Sequence, residues 1–594
     1  MNKLYLCFLM LLVTSASFAQ SFNIRGVMPW HSYLSGPSAW NEDDYRKYLD
    51  DCQKKGINFI GFHNYTGGGE RYFNYVEPMI KIQYKNVLPT ARFDDGSTVR
   101  WGYLPMKVSK YPYGTQKLFK LPRGAQYFGA ENAVNSRTTE ERYEKAQKLT
   151  KKVLVMAHER GMQMAMGFEF GVAPPEYASI RTHSDMYWLG NGTLIYNPFD
   201  PDATGILYAT IDNILDTYKG MDWIYLWLNE HCMFGINPNE ALQNPLLADY
   251  YKKNVSSYEG ENVDETMKFL GVWSQAYIQK AYEYIKKRSP GTKIVIGGWG
   301  NANQMPLLLK GLNKTLPKEI VFSMLNPDQG KQSHPSFFKE IARTRNVWSI
   351  PWLEGDESLW YLQPRVRDMK NQVKNAHSDG LNGVVAIHWR TEEVRLNFET
   401  FARFALHPEV DQSTSKIYQD YCNKEFGEYA SKNLAFLLTQ IDTTGILSTI
   451  QSTEFFAYQP SWGRLSQAQV ALVENIIHEI DDCISHEKGQ KMNANLKWMR
   501  ASYEFAILFN EFGHSLEPAW KMRDDYMKAI QKPDFGESQI LNARTMLDHA
   551  PVEKMVTVFA SRVRSQGELG ELSSIIQRVY GEYQQLCEFM KTLP

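Results

Sequence analysis

The chain has 594 residues, which is too long for one ordinary domain and fits a large barrel followed by a second domain. Its 65 lysines and arginines nearly balance 66 aspartates and glutamates, so a net charge of −1 provides no global field to attract nucleic acid or an anionic membrane. Hydrophobic residues make up 43% and charged residues 22%, which excludes a disordered chain. The 15 tryptophans and 34 tyrosines suit a pocket that stacks against flat ligand faces.

Residues 1–19 have the pattern of a secretory signal. A short positive start ending at Lys3 is followed by an apolar run over residues 4–13, and Ser17-Phe18-Ala19 matches the small-x-small cleavage site. We therefore predict cleavage after Ala19 and an exported protein, periplasmic or extracellular. No later stretch approaches eighteen consecutive apolar residues, so no membrane-spanning helix is predicted.

The cysteines that remain after removal of the signal are scattered along the chain. They form no Cys-x-x-Cys pair, so the sequence predicts neither a disulfide framework nor a zinc site. We expect buried thiols or at most one bridge among Cys52, Cys232, Cys422, Cys483 and Cys587.

Eight short apolar runs recur between residues 22 and 400. Each has five to seven residues and is almost continuously apolar, which is typical of a strand buried on both faces. The runs cover residues 23–28, 57–63, 162–168, 223–228, 293–297, 320–325, 347–353 and 383–389.

Helical patterns lie between several of these runs, over residues 43–55, 139–159, 264–287 and 365–377. The second of them opens with the capping box Thr138-x-x-Glu141. Strand followed by helix, eight times, predicts a (β/α)8 TIM barrel over residues 20–404. The competing doubly wound sheet places a glycine-rich phosphate loop after its first strand, where this chain has Pro29-Trp30-His31.

Two further regions stand out from the barrel pattern. Residues 65–137 are rich in Tyr, Pro and Gly and contain an Asp95-Gly96 turn signal, so we predict a β-rich insertion after the second strand. After about residue 405 the strand signals fade, and apolar residues recur at helical spacing, for example along Val473, Ile476 and Ile480. We predict an all-helical C-terminal domain over residues 405–594.

The residues that follow the predicted strands are candidates for chemistry, because barrels of this type carry their sites at the C-terminal ends of the strands. Carboxylates, amides and aromatic side chains occur there, a set that suits a polyhydroxylated ligand. We predict Glu230 and Glu354 as catalytic, after the fourth and seventh strands. The predicted substrate-binding residues are His31, His63, Asn64, Glu169, Asn229, Trp299, Asn301, Asp328, Trp389 and Arg390.

Glu230 and Glu354 have the layout that glycoside hydrolysis needs. Glu230 follows the apolar strand Trp-Ile-Tyr-Leu-Trp-Leu, and a carboxyl group held against aromatic rings is expected to have a raised pKa, as a general acid requires. The fourth and seventh strands lie on opposite sides of a barrel mouth, so one acid could protonate the leaving oxygen while the other attacks or activates water. Asp356 and Glu357 are near neighbours of Glu354, and a structural salt bridge is the alternative role for either acid.

The pair Asn229-Glu230, a glutamate after the seventh strand and Trp389 after the eighth resemble the large clan of retaining barrel glycosidases. In that clan the Asn-Glu glutamate is the acid/base and the second glutamate is the nucleophile. A second similarity covers residues 397–427, where Phe401-Ala-Arg-Phe-Ala-Leu-His-Pro-Glu leads to Ile417-Tyr-Gln-Asp-Tyr-Cys and Glu425-Phe-Gly. This segment resembles the one that joins barrel and helical domain in α-glucuronidases and, more loosely, α-N-acetylglucosaminidases.

Other functions have weaker signals. Four histidines follow predicted strands, but the chain has neither a His-x-His pair on its first strand nor a His-Glu-x-x-His motif, so we predict no metal and no other cofactor. The Gly67-Gly68-Gly69 run lacks the Lys-Ser/Thr of a phosphate loop. Arg390 or Arg395 could hold a substrate carboxylate, as the α-glucuronidase resemblance implies, or could pair with Glu392 or Glu393.

The sequence therefore predicts a secreted glycoside hydrolase that acts on oligo- or polysaccharides. Its expected partner is a carbohydrate substrate, with neither nucleic acid nor a membrane span, and the pattern leaves its oligomeric state open. The alternative is a non-catalytic carbohydrate-binding protein on a barrel scaffold. Two facing carboxylates favour the enzyme, because sugar binding alone seldom needs them.

Overall fold

The protein is described here from a computed structural model. The described residues are 21–30, 36–37, 39–66, 76–90, 106–118, 127–128, 136–180, 186–188, 194–228, 236–298, 304–356, 359–445, 459–460, 464–531 and 533–594. The predicted signal and Cys232 lie outside them. Cys52, Cys422, Cys483 and Cys587 are free thiols, and the first three of them are buried.

Eight parallel strands form a closed barrel, which confirms the predicted (β/α)8 fold. Each strand pairs with its neighbours in chain order, and β1 closes the barrel against β8, from Ile24 opposite Gly383 to Pro29 opposite His388. The strands are β1 (Ile24–Pro29), β2 (Phe59–Asn64), β3 (Gln163–Phe170), β4 (Trp223–Leu228), β5 (Lys293–Gly297), β6 (Val321–Leu325), β7 (Val347–Ile350) and β8 (Gly383–His388).

Large aromatic side chains fill the interior of the barrel. Trp348 packs edge-on against Phe59 and Trp223, with ring centroids 5.2 and 5.0 Å away. Glycine makes room for such rings: a Cβ on Gly167 would lie 2.9 Å from the indole nitrogen of Trp227. The interior is therefore a packed core, and a ligand site is confined to its mouth.

The barrel helices and the short helices of its loops are α1 (Glu42–Lys54), α2 (Thr139–Glu159), α3 (Pro201–Thr217), α4 (Pro238–Ala241), α5 (Pro245–Asn254), α6 (Glu265–Arg288), α7 (Gln304–Thr315), α8 (Phe338–Ile341), α9 (Val366–Ser378) and α10 (Arg395–Leu406). Short 3₁₀ segments cover Val108–Lys110, Pro112–Lys117, Pro175–Ile180 and Val255–Tyr258. The Thr138 hydroxyl caps α2 by accepting from the Glu141 amide, while the Glu141 carboxylate accepts from the Arg137 amide.

The connections after β2 and β3 carry extra strands. After β2, Met106–Lys107 pairs antiparallel with Tyr127–Phe128, within the predicted insertion. After β3, three short strands form a second antiparallel sheet that the sequence did not predict: Val172–Ala173, Met186–Trp188 and Leu194–Tyr196. Both connections leave the C-terminal ends of their strands, so they lie on the face that carries the mouth.

The C-terminal part of the described chain is helical. Its helices are α11 (Thr414–Phe426), α12 (Asn433–Thr444), α13 (Gln467–His486), α14 (Gln490–Lys528), α15 (Glu537–Asp548), α16 (Val552–Arg562), α17 (Gln566–Ile575) and α18 (Gly581–Lys591), with a π-helical turn over Ile576–Tyr580. Val473, Ile476 and Ile480 are buried on α13, as their spacing predicts. In the described parts of the chain, no helix is both long and apolar enough to cross a membrane.

Candidate functional site at the barrel mouth

Residues from β2 and β3 meet at the C-terminal end of the barrel. His63 Nε2 lies 3.3 Å from Glu169 Oε1, and the two side chains are only 1% and 2% exposed. Beside them the Asn64 side chain donates to the Gly167 carbonyl at 2.9 Å, which follows from the register of the two strands, with His63 opposite Gly167. Three predicted site residues, His63, Asn64 and Glu169, are therefore brought together.

An aromatic cluster surrounds the His63–Glu169 pair. The Trp30 indole stacks on the His63 ring, with centroids 4.3 Å apart and planes 13° apart, and Trp227 meets His63 edge-on at 5.2 Å. Trp389 lies 6.3 Å from Trp30, and Tyr65 lies 4.7 Å from His63. Strands β1, β2, β4 and β8 thus contribute buried rings or ring-bearing loops to one patch around Glu169.

Glu354 and Arg390 form a buried ion pair between the ends of β7 and β8. Glu354 Oε1 accepts from the backbone amides of Trp389 and Arg390 at 2.9 and 2.7 Å, and Oε2 accepts from Arg390 Nε at 2.7 Å. The two side chains are 0% and 1% exposed. The remaining guanidinium nitrogens donate to the carbonyls of Leu359 and Tyr361.

These contacts fit the alternative role named for Glu354, a structural salt bridge. As the second catalytic carboxylate, Glu354 would face Glu230 across the mouth as nucleophile or base, whereas its oxygens accept three hydrogen bonds from the adjacent strand end. Arg390 was expected to hold a substrate carboxylate or to pair with Glu392 or Glu393, yet its guanidinium donates to Glu354 and two carbonyls. Geometry of this kind is typical of a structural pair that ties two loops together.

The other predicted site residues fall into two groups. Asp328 is exposed, in a turn where it, Gln329 and Gly330 have φ values of 53°, 50° and 70°, and the described contacts do not link it to the His63–Glu169 pair. Asp356, the near neighbour of Glu354, is 6% exposed. His31, Asn229, Glu230, Trp299 and Asn301 lie outside the described residues.

Two residues outside the predicted site, Tyr65 and Glu77, brace the mouth. The Glu77 carboxylate accepts from the Tyr65 amide at 2.8 Å, and the Glu77 amide donates to the Tyr65 carbonyl at 2.9 Å. Tyr65 in turn accepts from Trp30 Nε1 at 3.4 Å. Glu77 belongs to the insertion after β2, where no periodic pattern marks a contact with the barrel, so only the tertiary structure identifies it.

His388 belongs to the wall of the barrel. Its Nε2 lies 2.6 Å from the Tyr48 hydroxyl and its Nδ1 lies 2.9 Å from the Arg390 carbonyl. Burial lowers the pKa of His388 to about 4, so the ring is neutral at neutral pH. Within the described part of the chain, His, Cys, Asp and Glu form no group of three that could hold a metal ion.

The lowered pKa of His388 predicts a loss of stability in acid. The stabilising effect is fully present above the unfolded pKa of about 6.5 and is lost as the pH falls through about 4, which corresponds to about 3 kcal/mol. Urea unfolding of the wild type and of His388→Gln between pH 7 and pH 4 measures it. The difference in unfolding free energy between the two should shrink as the pH falls. A difference independent of pH would contradict the prediction, and His549→Gln, at an exposed histidine, is the control.

No protein-family model matches the chain, and no curated protein matches it. Solved structures with similar overall arrangement include a GH138 enzyme targeting pectin rhamnogalacturonan II (10% identity, TM-score 0.44, covering 91% of this chain and 63% of that one). A family GH115 4-O-methyl-α-glucuronidase with specificity for decorated arabinogalactans has 9% identity and a TM-score of 0.48, over 93% of this chain and 62% of its own. The Thermobaculum terrenum O-GlcNAc hydrolase has 11% identity and a TM-score of 0.43, over 96% and 95%. This chain thus covers less than two thirds of the length of the GH138 enzyme and of the GH115 α-glucuronidase.

Proposed function

We propose that this protein is an exported glycoside hydrolase that cleaves oligo- or polysaccharides. The observation that carries the proposal is the His63–Glu169 pair, a buried carboxyl group 3.3 Å from an imidazole, inside a cluster of aromatic rings at the mouth of a (β/α)8 barrel. Aromatic faces bind the apolar faces of sugar rings, and a carboxylate beside them is the group that glycosidic chemistry requires. Export rests on the signal pattern in residues 1–19.

In this proposal Glu230 is the general acid/base. It follows β4 by two residues in the sequence, and its place after Asn229 is the basis of the resemblance to retaining barrel glycosidases. The neighbouring strand β3 carries Glu169 opposite Trp227 of β4. The strand that Glu230 follows in the sequence is thus adjacent to the strand that carries Glu169, and a two-acid mechanism requires two neighbouring carboxyl groups.

Glu169 is the second carboxylate of the proposed mechanism, in place of Glu354. His63 Nε2 lies 3.3 Å from Glu169 Oε1, and the Trp30 ring stacks on the imidazole. Glu354 is proposed as a positioning residue, because its oxygens accept the Trp389 and Arg390 amides and so fix the backbone that carries Trp389. The arginine that would recognise a uronate is not assigned, because Arg390 is engaged with Glu354.

A substrate screen tests the proposal. The purified protein is incubated with aryl-glycosides and with neutral and uronic-acid-bearing oligosaccharides, and products are identified by chromatography. We expect hydrolysis of at least one class, and Glu169→Gln is expected to abolish it while its melting temperature stays that of the wild type. The failure of every substrate would contradict the proposal. Glu176→Gln, in the short segment after β3, is the control carboxylate.

The resemblance to retaining glycosidases predicts the stereochemistry of the product. Retention through a covalent intermediate corresponds to carboxyl groups about 5–5.5 Å apart, and inversion to about 6.5–9.5 Å. We expect the first product anomer to have the configuration of the substrate. Proton NMR during the first minutes of turnover, before mutarotation, measures it, and the opposite anomer would contradict retention.

A second candidate function is favoured by the Glu354–Arg390 pair. The sequence favoured an enzyme because Glu230 and Glu354 were expected to face each other across the mouth. Since Glu354 is hydrogen-bonded to the β8 backbone, that argument no longer excludes a non-catalytic carbohydrate-binding protein. Calorimetry distinguishes the two: binding of oligosaccharides without any product over days would support the binding protein.

A further inference from the structure

A group of buried charged side chains joins the loop after β8 to the C-terminal helices. Arg562, at the end of α16, donates through Nη2 to Glu393 Oε1 at 2.6 Å and to Glu571 Oε2 of α17 at 3.0 Å. Its Nη1 donates to the Ser502 hydroxyl at 2.7 Å. The side chains of Arg562, Glu393 and Glu571 are 2%, 0% and 3% exposed, so solvent does not screen them.

The Glu393 and Glu571 carboxyl groups are both buried and converge on one nitrogen of Arg562. Arg390 is already paired with Glu354, so one guanidinium faces two buried carboxyl groups, and an excess negative charge would remain if both were ionised. A proton on one of the two carboxyl groups removes that charge. Arg562 and Arg390 hold the pKa of Glu393 low, whereas burial and the charge of Glu393 raise the pKa of Glu571 well above its ordinary value. These opposite directions assign the proton to Glu571.

The same group reaches the barrel mouth through Arg390. The charge of Arg390 acts on both Glu393 and Glu571, and its guanidinium is bonded to Glu354. Glu354 in turn accepts the amide of Trp389, whose ring packs near Trp30. Electrostatic interaction thus links the buried charges of α16 and α17 to the Glu354–Arg390 pair, and hydrogen bonds link that pair to the backbone of Trp389 beside the proposed site.

We propose that Arg562 and Glu571 are positioning residues for the barrel mouth, and that the proton held between Glu393 and Glu571 is required to keep the β8 loop, and with it Trp389, in place. For its effect on turnover, this inference rests on the proposed function. Its structural part concerns only the loop and the helices.

Loss of that proton changes the charge balance of the group. With Glu571 ionised, the carboxylates Glu354, Glu393, Glu568 and Glu571 face the guanidinium groups of Arg390 and Arg562. Arg564, Glu392 and Arg395 lie at the edge of this charged group, next to Glu568. Glu568 lies beside this group, and burial and the charge of Glu393 raise its pKa to about 7, while its oxygens accept from Trp498 Nε1 and the Arg564 and Ser565 amides. Glu568 is therefore ionised at pH 9.5 in the wild type and in Glu571→Gln alike, so the comparison of the two at that pH cancels its contribution. Repulsion between Glu393 and Glu571 then favours separation of the β8 loop from α17.

The test compares the wild type with Glu571→Gln, which keeps a donor toward Glu393 and does not ionise. Hydrogen exchange of peptides that cover residues 389–396 is followed by mass spectrometry at pH 7 and pH 9.5. We expect exchange at pH 9.5 to be at least tenfold faster in the wild type than in Glu571→Gln, with the two similar at pH 7. Comparison at one pH cancels the intrinsic pH dependence of exchange. Equal rates at both pH values would overturn the proposal.

The control is Glu582→Gln. Glu582 of α18 is a buried glutamate that pairs with Arg523, and burial raises its pKa as well. Its described contacts do not reach the barrel. We expect its exchange at residues 389–396 to follow the wild type at both pH values. If Glu582→Gln protects the loop as Glu571→Gln does, the effect is not local and the proposal is wrong. If Glu571→Gln does not fold, Glu393→Gln is measured instead, because it removes the carboxylate that repels an ionised Glu571.

Turnover provides the second readout. For any substrate that the screen identifies, the ratio of kcat/KM at pH 9.5 to kcat/KM at pH 7 should be at least tenfold higher in Glu571→Gln than in the wild type, mainly through KM. Arg562→Met should raise KM at every pH and Arg562→Lys should recover part of it. An unchanged ratio would overturn the positioning role. If no substrate is found, the exchange experiment still tests the loop, so failure of the proposed function and of this inference are distinguishable.

Discussion

Replacing Glu230 by glutamine should leave the fold intact and reduce hydrolysis of unactivated oligosaccharides by roughly 10²–10⁴-fold, the usual contribution of general acid–base catalysis. Glutamine has the shape of glutamate but cannot give a proton to the leaving oxygen. Aryl-glycosides with good leaving groups need less protonation, so they should lose much less. Initial rates on both substrate types, together with melting temperatures, measure the effect.

The controls separate catalysis from structure. Glu240→Gln changes an exposed glutamate in the loop region after β4 and should leave both rates at the wild-type level. Glu354→Gln should lower the melting temperature without making the loss of activity depend on the leaving group, since Glu354 is hydrogen-bonded to the β8 backbone. Full activity of Glu230→Gln on oligosaccharides would remove Glu230 from the mechanism.

Replacing Arg390 by methionine should lower the free energy of unfolding by about 3–5 kcal/mol, because it leaves the Glu354 carboxylate buried without its counter-charge. The carbonyls of Leu359 and Tyr361 lose their donors as well. Denaturant unfolding at neutral pH measures the loss. Arg288→Met is the matched control: Arg288 pairs with Asp212 at 2.8 Å while 39% exposed, and its loss should cost at most about 1 kcal/mol.

A double variant checks the interpretation of the Glu354–Arg390 pair. Glu354→Leu combined with Arg390→Met removes both charges, so it should lose less stability than Arg390→Met alone. The uronate role predicted from the sequence would be restored by the opposite behaviour of Arg390→Met alone: a stability cost under about 1 kcal/mol and a Michaelis constant for uronate substrates raised by orders of magnitude.

The barrel strands could be predicted from the sequence because their signal is local. A strand covered on both faces has to be apolar throughout, and the runs at 223–228 and 293–297 coincide with β4 and β5 residue for residue. The Thr138 hydroxyl likewise caps the start of α2, where a capping box was predicted, since the Glu141 amide that donates to it is three residues away. The helix α8 has only four residues, too few for a period to appear, and it was not predicted.

The sequence by itself thus determined the barrel, the helical C-terminal region and the rule that polar residues at strand ends surround the mouth. The tertiary structure decided which of those residues meet. Glu354 and Arg390 are 36 residues apart and Glu393 and Arg562 are 169 apart, so no local pattern relates them. Each pair forms because a buried charge has to find an opposite charge and enough hydrogen bonds, and only the packing of strands and helices determines which partner lies within reach.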